Sequence, residues 1–130
     1  MTHYHAAVWL DHREARIFGI GRDEVERFAV LAHPHHRQVH HRHGALGSGR
    51  TPEDTKFFAE IAEHLKGPEE ILVAGPGKAK LELLRYLHTH APAVEAKVMA
   101  VESADHPTDG QFVAHARAAF AALDRIAKQP

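Results

Sequence analysis

Between His33 and Arg50 the chain reads HPHHRQVHHRHGALGSGR, a stretch with six of the fourteen histidines, three arginines, three glycines and no carboxylate. Removing its three arginines from a chain of formal net charge −1 leaves −4 on the remainder, so the positive charge is local. Guanidinium groups are permanent donors shaped for phosphate oxygens, and imidazoles stack on bases or become cationic near neutral pH. Gly44, Gly47 and Gly49 let the backbone approach a ligand closely. These residue types together read as an anion-binding loop suited to nucleic acid. Its contacts are expected at His35, His36, Arg37, His40, His41, Arg42, His43 and Arg50.

Other chemistries are open to the same side chains. With His33 included, the cluster offers six neutral imidazoles to a metal, but a transition-metal site needs fixed ligands held by a supporting shell, which adjacent loop histidines do not supply. No metal site and no cofactor is therefore expected. A histidine-rich metal buffer remains a separate reading, with several weak sites and no RNA affinity. The turn Gly75-Pro76-Gly77-Lys78 precedes a helix, where backbone N–H groups can receive a phosphate, but it lacks the glycine-lysine-serine/threonine spacing of a nucleotide-binding loop. It reads first as a tight turn, with Lys78 and Lys80 as accessory phosphate contacts. Asp11, Glu14, Asp105 and Asp109 are the carboxylates open to a two-metal nuclease reading. No pair is forced onto one strand end, and Asp109 is explained as first-turn helix chemistry. His106 and His115 read as surface or helix-packing histidines.

The elements that must position this loop follow from periodicity. His5–Leu10 is a short apolar run ending in Asp11–Glu14, a buried strand and its turn; Ala15–Ile20 is a second strand. After the turn at Gly21–Asp23, Glu24–Leu31 sets Glu26, Phe28 and Val30 against Val25, Arg27 and Ala29, as a half-exposed strand does. Eighteen residues without periodicity follow, longer than connections in compact domains usually run. Thr51, Pro52 and Asp54 then supply a cap, a first-turn proline and an acid facing the dipole. The helix they open presents Phe58, Ile61, Ala62 and Leu65 and stops at Gly67-Pro68. Ile71–Ala74 is a wholly apolar strand, turned by Gly75–Lys78 into a helix carrying Leu84 and Leu87 inward. Lys97–Val101 is the last strand, and Thr108 with Gln111 forms a capping box for a final helix with Phe112, Ala116, Ala119, Phe120 and Leu123 on its inner stripe.

The expected architecture is one α/β domain over residues 1–130. It has a mixed sheet of about five strands, an antiparallel meander followed by right-handed strand-helix crossovers, with three helices and the long loop 33–50. At 130 residues and 44% hydrophobic content the chain is long enough for one real core. Balanced charge excludes wholesale nucleic-acid coating, and no DNA partner is expected. The absence of cysteine excludes disulfides, thiolate metal sites and cysteine nucleophiles. The opening MTHYHAAVWLDHREAR lacks a charged leader, and no apolar run is long enough for a membrane span, so a cytoplasmic protein without a membrane partner is expected. A homo-oligomer is compatible with the sequence but is not predicted by it.

Three stretches, VWLDHREARIF, LVAGPGKAKLELL and VESADHPTDGQ, carry a resemblance that extends over nearly the whole chain. The sequence resembles the middle domain of archaeo-eukaryotic peptide-chain release factors and Pelota, and more closely the small bacterial stand-alone proteins related to it, the translational machinery proteins. The resemblance implies a translational-machinery-component-like α/β sandwich and association with ribosomes or tRNA in stress, rescue or hibernation. In release factors the loop after the third strand carries a Gly-Gly-Gln tip that helps water attack peptidyl-tRNA. Here GALGSGR, Gly44–Arg50, stands at that place, and Gln38 lies upstream among the histidines. Peptide release is therefore carried over to no residue. The expectation is a non-catalytic RNA-binding module whose partner is the ribosome or tRNA. The alternative is a metal-assisted or general-base hydrolase of RNA or peptidyl-tRNA that uses the loop histidines.

Overall fold

The structure, a computed structural model, describes residues 3–32 and 52–127. Three strands come first: β1 (His5–Leu10), β2 (Glu14–Ile20) and β3 (Val25–Leu31). Then follow α1 (Pro52–His64), β4 (Glu70–Gly75), α2 (Ala79–His90), a single-turn α3 (Pro92–Glu95), β5 (Val98–Ser103) and α4 (Asp109–Ala127). They form one five-stranded sheet in the order β3-β2-β1-β4-β5. β1 runs antiparallel to β2, which runs antiparallel to β3, while β1, β4 and β5 are mutually parallel neighbours. The expected meander and crossovers are thus both present in one mixed sheet.

Side-chain alternation along the central strands builds two separate cores. Ala6, Val8 and Leu10 of β1, with Ile71 and Val73 of β4, face Phe57, Phe58, Ile61 and Leu65 of α1 and Leu83 and Leu87 of α2. Ala7 and Trp9, with Leu72 and Ala74, face Phe112, Val113, Ala116 and Phe120 of α4. A strand sealed on both faces cannot alternate polar and apolar residues, which is why HAAVWL and EILVAG read as continuous apolar runs. β3 lies at the edge and keeps Glu26, Arg27, Ala29 and Leu31 exposed. Its inward residues, Phe28 and Val30, pack toward the α1 side.

Local chemistry explains most helix starts. The Thr108/Gln111 capping box is formed: the Gln111 N–H donates to Thr108 Oγ1 at 3.1 Å, and the Thr108 N–H donates to Gln111 Oε1 at 3.0 Å. The cap expected at Thr51 lies outside the described residues. Three expectations are corrected. Among the described residues there are four helices rather than three, because Pro92 at the first helical position nucleates a short turn between α2 and β5. In α2 the fully buried leucines are Leu83 and Leu87, four residues apart and so on one face, while Leu84 is only partly buried. In α4, Val113 joins the buried stripe, and Ala119 and Leu123 are only half-buried.

Glycine at position 75 is required by packing rather than by turn conformation. A Cβ there would lie 2.1 Å from the Leu10 carbonyl oxygen, so only glycine lets the end of β4 sit this close to β1. Gly77, two residues on, has open space around it.

Candidate functional site

Four of the five strands, β1, β3, β4 and β5, point the same way and end at one edge of the sheet. Four backbone segments emerge there: the turn Asp11–Arg13, the chain leaving β3 at Ala32, the turn Gly75–Lys78 and the loop Ala104–Thr108. Ala32 is tied to the first of them by its N–H to the Arg13 carbonyl at 2.9 Å. The carboxyl ends of the strands are where open α/β sheets bind ligands. Ala32, the last described residue before the His/Arg/Gly-rich sequence, lies at this edge.

Of the expected contacts, His35, His36, Arg37, His40, His41, Arg42, His43 and Arg50 lie outside the described residues, as does His33. The two lysines are described, and the fold treats them differently. Lys78 is exposed at the α2 N-cap position, with no ion pair among the described residues. Its carbonyl accepts from the N–H groups of Leu81 and Glu82, so the backbone holds the turn and leaves the ammonium to solvent. Lys80 is buried, and its Nζ donates to the Gly77 carbonyl, which engages this ammonium within its own turn.

The same edge is braced by Trp9 and Arg16, a pair that no sequence motif singles out. Trp9 is fully buried, and its Nε1–H donates to the Asp105 carbonyl at 2.9 Å and, more loosely, to that of Ala104 at 3.3 Å. The Arg16 guanidinium lies 4.5 Å from the Trp9 ring centroid, a cation–π contact. It also donates to Asp109 Oδ1 at 2.8 Å and to the Pro107 carbonyl at 3.4 Å. Asp109 therefore does more than face the α4 dipole: it neutralises Arg16, with Arg27 Nε a further 3.9 Å away. His106 stacks near Trp9 at 4.9 Å and lies between two carboxylates, Asp105 at 3.2 Å and Asp11 at 3.7 Å. A buried indole cannot serve as a base-stacking platform, so this network shapes and stiffens the loop 104–108.

Three of the four carboxylates of the candidate nuclease set, Asp11, Asp105 and Asp109, are drawn into such contacts. The Oδ1 of Asp11 accepts from the N–H groups of Arg13 and Glu14 at 2.8 and 3.0 Å and closes the β1–β2 turn. His115 is bound to Glu102 at 2.6 Å, consistent with its reading as a helix-packing histidine.

At the opposite edge, three ligand-type side chains meet. His5 Nε2 is 3.0 Å from Glu70 Oε1 and 3.3 Å from Asp124 Oδ2. Burial, and after it the adjacent Asp124 carboxylate, raises the Glu70 carboxyl above its ordinary pKa, against the opposing pull of His5. No spacing in the sequence signals this group, because its members are 65 and 119 residues apart. Register brings them together: His5 and Glu70 are direct partners in the parallel ladder, and α4 crosses above them.

No family model matches the sequence, and no curated protein does. Solved structures do match the fold. Pelota from Archaeoglobus fulgidus superposes with a TM-score of 0.61 at 19% identity, over 87% of this chain and 30% of that one. Pelota from Thermoplasma acidophilum gives 0.56 at 24% identity, over 84% and 30%. Saccharomyces cerevisiae Dom34, described as a translation termination-like factor involved in RNA quality control pathways and interacting with Hbs1, gives 0.56 at 13% identity, over 97% and 33%. The chain thus spans about a third of the length of the proteins it matches. Its fold is the translation-factor middle-domain type seen within Pelota and Dom34.

Proposed function

We propose that this protein is a translation-associated, non-catalytic RNA-binding module that engages the ribosome or tRNA during stress, rescue or hibernation. The observation that carries the reading is the fold, which covers nearly all of this chain and recurs in a termination-like factor of RNA quality control. The cationic segment adds chemistry to it. Arg37, Arg42 and Arg50, with the neighbouring histidines, belong to the sequence that follows β3, and β3 ends at the carboxyl edge where exposed Lys78 stands. Arginines there form charge-assisted bonds to phosphates, and Lys78 adds a peripheral one. The absence of a Gly-Gly-Gln tip from this segment supports binding without peptide release.

Sucrose-gradient co-sedimentation of purified ribosomes with the protein tests the reading at two salt concentrations and two pH values. The protein is expected to co-sediment at low salt, with weaker association after Arg37, Arg42 and Arg50 are changed together to alanine. Histidine protonation strengthens association below about pH 6.5, where the unperturbed group titrates. Unchanged co-sedimentation of the triple variant rejects the assigned surface, and no co-sedimentation of the parent under any condition rejects the function.

A further inference from the structure

The group at the amino edge of the sheet, His5 with Glu70 and Asp124, stands apart from everything proposed for the opposite edge. We infer that it is a binding site for one divalent transition ion of the zinc type, joining β1, β4 and the second half of α4. The inference does not depend on the ribosome reading.

The spacing fits an ion shared by all three side chains. Two donors at metal–ligand distances near 2.0 Å and a tetrahedral angle are about 3.3 Å apart. His5 Nε2 lies 3.0 and 3.3 Å from one oxygen of each carboxylate, and the three donor atoms all fall within 4.8 Å of one another. Among the described residues this is the one group of three ligand-type side chains so placed.

The chemistry fits as well. A single imidazole nitrogen faces two carboxylates, and Nε2 carries at most one proton to give. Two half-buried carboxylates drawn together around it leave an excess of negative charge that one proton does not balance. A dication bonded to all three donors balances it. Imidazole with carboxylate is a donor set for zinc, cobalt or manganese rather than for magnesium, which prefers oxygen and water. The side chains of His5, Glu70 and Asp124 keep 23%, 15% and 34% of their exposure, enough for entry and for a coordinated water.

The ligands are held in place. The His5 ring is packed by Tyr4 at 4.9 Å and Phe120 at 4.4 Å, which fixes the plane in which Nε2 points. His5 and Glu70 sit on paired central strands, so neither backbone is free to drift. Ligands on three rigid elements distinguish this group from the histidines of the 33–50 sequence. The bound ion would clamp the distal half of α4 onto the sheet, beyond its capping box and its Arg117–Gly21 hydrogen bond of 2.8 Å.

The test uses the full chain with His33, His35, His36, His40, His41 and His43 changed to serine, which removes competing imidazoles. After chelator treatment, zinc is titrated by calorimetry, and cobalt is followed by its visible absorption. One saturable zinc per chain is expected. Its affinity should fall at least tenfold in each of His5→Gln, Glu70→Gln and Asp124→Asn, a loss of the size seen even for outer-shell changes at metal sites. His88→Gln with His90→Gln should leave it unchanged. At zinc a hundredfold above the dissociation constant, Tm should rise by roughly 10 °C in the parent and not in the ligand variants. Should His5→Gln fail to fold, as judged by circular dichroism, the two near-isosteric acid-to-amide variants decide the question. Absence of one-to-one zinc binding, or binding that survives the acid-to-amide changes, overturns the proposal and leaves an ion-pair clip in its place.

Discussion

Substituting Gly75 by alanine places one methyl group where the structure has no room for it. The new Cβ would sit 2.1 Å from the Leu10 carbonyl oxygen, 3.2 Å from its carbon and 3.5 Å from its nitrogen, all backbone atoms of a central strand. Ordinary contact begins near 3.4 Å, so β1 and β4 must part by roughly 1 Å at their carboxyl ends. That separation stretches the ladder beyond the last Trp9–Ala74 pairing and loosens two fully buried residues, Leu10 and Ala74. Overpacking costs about 1–3 kcal/mol, and a weakened ladder hydrogen bond adds about 1, so a total near 3 kcal/mol is expected. For a chain of this size that lowers Tm by roughly 10 °C. Urea unfolding followed by circular dichroism measures it as a shift in midpoint at unchanged slope. Gly77→Ala is the control: its added Cβ meets nothing within 4 Å and its φ lies outside the left-handed region, so a gain of about 0.5 kcal/mol is expected. Equal stabilities for the two variants, or a Gly75→Ala loss under about 1 kcal/mol, would refute the argument from close approach.

Three further outcomes are expected. Thr108→Ala removes one arm of the α4 capping box and should cost about 1 kcal/mol in urea unfolding. Glu70 is raised above its unfolded value of 4.5, so in chelator its contribution to stability is fully present below pH 4.5 and is lost as pH climbs through the folded pKa. The stability difference between the parent and Glu70→Gln should therefore move in favour of the glutamine variant as pH rises above 4.5, and a flat difference would contradict the burial argument. In ribosome or single-stranded RNA binding, removing Arg37, Arg42 and Arg50 should reduce the slope of log affinity against log salt by about 2, at roughly 0.7 per phosphate contact.

The succession of strands and helices along the chain was readable because burial writes itself into the residues. The runs HAAVWL and ILVA announce strands covered on both faces, and Thr108 with Gln111 announces the α4 start through a bond that only those side chains make. Helix registers were less legible: Leu83 and Leu84 are adjacent leucines, and only the direction of α2 across the sheet decides which is buried. Pro92–Glu95 gave no signal of its own, because one turn of helix has no periodicity to show. The glycines of the turn after β4 were read as conformational, whereas Gly75 answers to Leu10, sixty-five positions away. The contacts of Trp9 with Asp105 and of Arg16 with Asp109, and those of His5 with Glu70 and Asp124, left no local trace, because each joins residues at least 65 positions apart. The chemistry of the cationic segment lay in its composition alone.

The parallel pairing of β1 with β4 has a consequence for how this chain can change over time. His5 meets Glu70 at a sequence separation of 65, and the eighteen residues 33–50 lie within that span. The entropy of closing a flexible loop rises only with the logarithm of its length, so removing all eighteen would ease closure by about 0.3 kcal/mol. Folding is therefore nearly indifferent to the length of the segment. Insertions, deletions and new compositions there are open to selection on what the segment touches, while β1 and β4, packed on both sides, are held to a few apolar residues and one glycine.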